Sequence, residues 1–164
     1  MRLKGCKEGL AVLMIATLLS GAGGCEGPAS GLNDLSAMNK ATITINNHTF
    51  EVWLAQTQDE ITKGLMQVDS AELAPTKSGA ERGMLFVFED DRLRGFWMFN
   101  TPTPLDIAYI RSDGTIVKIW TMRPLDTSTY PSIEPARYAL EVRAGCFKEL
   151  GIFEGDKVIL PEGL

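Results

Sequence analysis

Residues 105–122, LDIAYIRSDGTIVKIWTM, carry the pattern that decides the fold class. LDIAYI is a short run of β-branched and aromatic residues, Ser112-Asp113-Gly114 is a tight-turn sequence, and TIVKIWTM is a second run of the same kind. Two such runs flanking Asp-Gly predict an antiparallel pair. The same signature recurs on both sides. ATITI, Asn46-Asn47 and TFEVWLA predict a hairpin with Phe50, Val52 and Leu54 on one face. GMLFVF (83–88) reads as a buried strand, Glu89-Asp90-Asp91-Arg92 as the turn after it, and GFWMF (95–99) as the returning strand. ARYALEV (136–142) and KVIL (157–160) supply two more strands. Thr57 followed by Glu60 forms a capping box, which predicts a short helix carrying Ile61, Leu65 and Met66. One or two helical turns are expected at Cys146–Leu150, closed by Gly151. About eight short strands and one or two short helices predict a mainly β (α+β) domain, a compact antiparallel β-barrel or sandwich.

The N-terminal part has a different character. Arg2, Lys4 and Lys7 form a basic head, residues 10–19 (LAVLMIATLL) an apolar core, and Gly21-Ala22-Gly23-Gly24 a small-residue run before Cys25. This is the plan of a secretory signal. The apolar run falls short of the roughly 20 residues a membrane-spanning helix needs. A cysteine behind that run predicts a bacterial lipoprotein, with residues 1–24 removed and Cys25 acylated. The rival reading is an ordinary signal peptide cut nearby. Glu26, rather than Asp, after the cysteine points to the outer membrane in preference to the inner membrane. The sequence divides accordingly into a leader (1–24), a lipidated flexible tether (25–40, EGPASGLNDLSAMNK after the cysteine) and one β-rich domain (41–164) facing the periplasm.

Charge and cysteine content narrow the function classes. The net charge is −5, and loss of a leader with three basic residues and Glu8 takes it to about −7. An acidic surface argues against nucleic acid as a partner and against electrostatic docking on anionic lipid. With Cys6 removed and Cys25 acylated, Cys146 is left alone, so no internal disulfide is expected. Its apolar neighbours predict a buried, unreactive thiol.

The blocks GMLFVFEDD, FWMFNTPTPLDIAYI, TIVKI and PARYALEV, with GDKV near the end and Gly64-Leu65-Met66 upstream, resemble domain-of-unknown-function family 192 across about residues 42–160. The resemblance implies a small secreted or membrane-anchored β-rich domain and no assigned chemistry. Three positions depart from the family pattern. Lys63 stands where Arg is usual, Gln67-Val68 replaces an aromatic-Arg pair, and Phe99 replaces Lys. A basic cluster serving an anionic ligand would be weakened here.

Candidate site residues are few. His48, the single histidine, falls in the first hairpin turn and cannot build a multi-histidine metal site. No nucleophile-elbow sequence accompanies it. In Asn100-Thr101-Pro-Thr-Pro-Leu105-Asp106, polar residues beside prolines most often satisfy a turn's amides. The functional reading is a concave site lined by Trp97, Asn100, Thr101 and Asp106, with charge from Arg82, Arg123 or Arg137. Met66, Met84, Met98 and Met122 could bind Cu(I), but their scatter through apolar strands favours core filling. Asp106 and Glu141 could face one another as a carboxylate pair for glycoside hydrolysis. The leading expectation is a non-catalytic ligand-binding or accessory module without cofactor, held to the membrane through Cys25 and meeting a small ligand or an envelope protein. A small hydrolase-like enzyme using Asp106, and a structural brace of an envelope complex, are the alternatives.

Overall fold

The computed structural model describes residues 33–164. The leader, Cys25 and the first part of the tether lie outside the described residues. Nine strands and two short helices follow in chain order: β1 (Lys40–Ile45), β2 (His48–Ala55), α1 (Gln58–Lys63), β3 (Glu81–Arg92), β4 (Gly95–Phe96), β5 (Leu105–Ile110), β6 (Ile116–Met122), β7 (Tyr130–Pro131), β8 (Ala136–Arg143), α2 (Cys146–Glu149) and β9 (Val158–Ile159). A 3₁₀ turn, Ser70–Leu73, stands between α1 and β3. Seven strands form one sheet in the order β6-β5-β8-β3-β2-β1-β9, and β4 pairs with β7 as a small separate ribbon. The mainly β expectation holds.

The sheet curls into a half-barrel whose two edges meet at one end. Val158 N donates to Gly114 O (2.9 Å), Ile116 N to Asp156 O (2.9 Å) and Gly155 N to Ile116 O (2.8 Å). The β9 segment therefore bonds to β1 on one side and to the start of β6 on the other. Short edges that pair in this way leave less backbone exposed to foreign strands.

Four features differ from the sequence reading. β2 and β3 are parallel, with Val52 opposite Gly83 and Leu54 opposite Leu85. Parallel neighbours need a long crossover, which residues 56–80 supply with α1 and the 3₁₀ turn. Glu89–Arg92 is not a turn but the end of β3, where a register shift between Val87 and Arg92 lets the charged residues continue along β8. GFWMF contributes only Gly95 and Phe96 to a strand. The capping box at Thr57 is present, yet α1 stops at Lys63, so Leu65 and Met66 lie on the loop beyond it.

Strand alternation divides the apolar residues into two cores. The inner core holds Ile43, Phe50, Val52, Leu54, Leu85, Leu140 and Val142, with Cys146 and Phe147 of α2 packed into it. The outer core holds Trp53, Met84, Phe86, Ile107, Tyr109 and Ala139, covered by Leu35, Leu65, Val68 and Leu73. Each fully buried large side chain in these sets contributes roughly 1.5–3 kcal/mol. Leu35 is buried, Met38 packs against the same core and Asn33 Nδ2 donates to Gly64 O (2.7 Å), so these three residues fasten the end of the expected tether to the domain. Burying Leu35 is the physical reason. Cys146 is fully buried and free, and burial pushes its thiol up to about 12. Met84, Met98 and Met122 are fully buried core residues.

Candidate functional site

On the outer face a cleft of about 320 Å³ opens between the loop after α1 and the segment around β4. Its walls include Lys63, Gly64, Leu65 and Met66 on one side and Leu93, Arg94, Phe96 and Trp97 on the other. Phe86, Phe88, Thr101 and Glu141 complete the lining. Gly64 ends α1 with φ +48°, its N–H donating to Glu60 O (2.8 Å). A Cβ there would approach the Phe86 ring to 3.2 Å, closer than ordinary van der Waals contact, so the positive φ and the close approach both favour glycine.

Glu141 is the unusual group. It sits in β8 opposite Met84 on one side and Ile107 on the other. Only 4% of it is exposed. Among the described residues nothing donates a hydrogen bond to it and no cation pairs with it. Burial alone pushes its carboxyl up to about 8, so it is protonated at neutral pH. A neutral carboxyl both donates and accepts. Tyr109, on the same face, is held above its ordinary value by burial first and by Glu141 second. Its hydroxyl donates to Tyr130 O (2.5 Å) and ties β5 to the β7 segment.

Arg94 forms a fixed part of the opposite wall. Nε donates to Ala136 O (2.6 Å) and Nη2 to Asp90 O (2.5 Å). The guanidinium lies 3.5 Å from the centroid of the Phe88 ring. Desolvation is the main influence on it and lowers its pKa. Phe96 packs edge-on against Phe86 (4.8 Å) and Tyr109 (5.9 Å), so the wall is an aromatic set rather than a mobile loop.

Of the candidate binding residues, Trp97 and Thr101 line this cleft and Asn100, Asp106, Arg82, Arg123 and Arg137 do not, while Met66 and Glu141, considered above for other chemistry, line it too. Trp97 is 52% exposed and stacks on Phe99 (5.2 Å). Thr101 is buried and its hydroxyl donates to Phe99 O (3.1 Å). Asn100 has φ +52° and its carbonyl accepts from Gln67 N (2.9 Å), joining the two loops behind the cleft. Arg82 donates to Glu72 O (3.4 Å), Arg137 to Phe88 O (3.2 Å), and Arg123 pairs with Asp126 (3.0 Å). His48 starts β2, paired with Ile45.

Asp106 belongs to the other face. It accepts from Thr121 Oγ1 (2.7 Å) and from Phe147 N (3.4 Å) at the start of α2. Pro104 O accepts from Ala144 N (3.1 Å), and Thr103 Oγ1 donates to Val68 O (2.8 Å). The Asn100–Asp106 segment therefore fastens loops and α2 to the sheet. The register sets Asp106 against Val142 and Glu141 against Ile107, so the two carboxylates lie on opposite faces and form no glycosidase pair. Arg94 and the phenylalanines were missed because their approach depends on the β4–β7 ribbon. Glu141 carried one signal on its own: it is the single acidic residue in a strand with apolar neighbours on both faces.

The model of the family described as Uncharacterized ACR, DUF192, matches residues 41–160. A solved structure from Sinorhizobium meliloti 1021, described as that of a proposed transcription regulator, is similar at 35% identity and TM-score 0.67. That match covers 74% of this chain and 93% of the other. A structure of a protein of unknown function from Novosphingobium aromaticivorans DSM 12444 is similar at 32% identity and TM-score 0.67, covering 82% and 95%. No curated protein matches the chain. With a family match over nearly all of the described domain and two solved structures that share its fold, the chain belongs to domain-of-unknown-function family 192.

Proposed function

We propose that the protein is a non-catalytic ligand-binding module of the cell envelope, tethered by lipid on Cys25, with its binding site in the Glu141 cleft. The observation that carries this reading is a buried carboxyl without a hydrogen-bond or ion-pair partner among the described residues, at the wall of a cavity lined mostly by apolar and aromatic side chains. The carboxyl opens onto the cleft, so a ligand group that pairs with it replaces water as its partner in surroundings less polar than bulk solvent. The fitting ligand is a small molecule with an aromatic or aliphatic body and one hydrogen-bonding group directed at Glu141. Lys63 and Arg94 add positive charge to the walls, which suits a polar end on the ligand as well. Among the described residues the cleft lining offers no second carboxylate, histidine or cysteine to act with Glu141, which favours binding over acid–base catalysis.

Native mass spectrometry of the protein purified from its own membranes tests the reading. A bound small molecule should be retained by the wild type and lost from Glu141→Leu, a change that removes the unpaired group and should leave thermal stability equal or higher. An adduct of equal occupancy on both proteins, or no adduct on the wild type, would remove the support for this site.

A further inference from the structure

The rim of the cleft is more apolar than a solvated surface requires. Leu93 is 70% exposed, and the exposed Trp97 and Phe99 stack on one another beside it. Exposed Leu125 and Ile133 lie on loops bonded to the same segment, through Met98 N to Asp126 O (2.8 Å) and Ser132 N to Arg94 O (2.8 Å). Five exposed large apolar residues thus lie on this segment or on the loops bonded to it. Such a patch marks a contact surface.

The chain's own path says what lies opposite it. Asn33 is hydrogen-bonded to Gly64, a residue of the facing cleft wall, so the polypeptide leaves the domain across the cleft from this rim. From Cys25 to Asn33 the chain can span at most about 28 Å. A domain of this size has a radius of gyration of about 14 Å, hence a diameter of roughly 36 Å. A tether shorter than the domain's width cannot reach round it, so the exit side cannot face directly away from the anchor. Tryptophan, phenylalanine and leucine are the side chains that settle at the headgroup boundary. The acidic net charge removes attraction to anionic lipid, leaving apolar insertion as the means of contact.

We propose that Leu93, Trp97 and Phe99 form a membrane-contact face, seated in the surface of the bilayer that holds the lipid on Cys25, with the mouth of the cleft turned towards that surface. This inference rests on the reading of Cys25 as the acylated residue. The test uses the full chain, produced with its leader, purified in detergent and reconstituted into phosphatidylcholine vesicles. Half of the preparations carry bromine on acyl carbons just below the headgroups. Wild type and Trp97→Phe are compared, since the two remaining tryptophans, Trp53 and Trp120, serve as internal references. Brominated lipid should quench the wild type, and the quenching should disappear in Trp97→Phe. Equal quenching of both proteins, or none in either while both float with the vesicles, overturns the membrane contact and leaves a protein partner as the occupant of the patch. Wild-type protein that does not float with vesicles overturns the anchoring itself, and the contact with it.

Discussion

Asp106 and Glu141 lie on neighbouring strands, one residue out of register, and therefore on opposite faces of the sheet. Both are almost wholly buried, yet their surroundings differ completely. Asp106 accepts from Thr121 and from the start of α2, whereas Glu141 faces a cavity with no hydrogen bond from any of the described residues. One strand pair thus separates a structural carboxylate from a ligand-seeking one, and the two should respond differently to mutation.

Thr121→Val tests the structural role. It keeps the side-chain shape and deletes the shortest hydrogen bond to Asp106, leaving the carboxylate with the long contact to Phe147 N. Urea unfolding should show a loss of about 1–3 kcal/mol. Retention of the cleft ligand in native mass spectrometry should be unchanged. A stability loss near zero would mean that Asp106 finds a replacement partner.

Glu141 makes stability depend on pH in the direction opposite to an ordinary acidic residue. Its folded carboxyl is raised from 4.5 to about 8, so the folded state holds a proton that the unfolded chain releases. Between those values stability should fall as pH rises, by up to about 1.4 kcal/mol per pH unit, and level off above about pH 8. Glu141→Gln has no such proton and should flatten the curve across that window. Denaturant melts at several pH values check this. Equal slopes in wild type and variant would place the titration elsewhere.

Much of the fold was legible because its signals are local. Asn46-Asn47 sits in left-handed backbone at the hairpin turn, Thr57 and Glu60 cap α1 reciprocally, and the alternation of Phe50, Val52 and Leu54 delivers all three to the inner core. What escaped depends on partners distant in the chain. The charged end of β3 resembles a turn until β8 is known to run beside it. The parallel pairing of β2 with β3 is set by the crossover, not by either strand's own residues. The site escaped for the same reason. Trp97 and Thr101 were within view, but the polar motif around them is largely fastening. The chemistry lies with Glu141, whose isolation follows from the apolar residues that β3 and β5 set on either side of it.

Gly114 offers a direct measure of how much the half-barrel gains from meeting its own edge. It adopts φ +80°, and a Cβ at this position would lie 2.6 Å from Val158 O, the residue whose amide it also receives. Gly79 has a similar φ of +87° but nothing within 4 Å of the same point. Alanine at either position pays the left-handed backbone penalty of about 1–2 kcal/mol. At Gly114 it must also push β9 away from the start of β6. Gly114→Ala should therefore destabilise more than Gly79→Ala, and the excess is the cost of opening the closure. Hydrogen exchange locates the effect: the amides of Ile116 and Val158 should lose protection in Gly114→Ala and keep it in Gly79→Ala. If both variants lose the same stability and those amides stay protected, the β9 strap yields without cost and the barrel is held by the six strands from β6 to β1 alone.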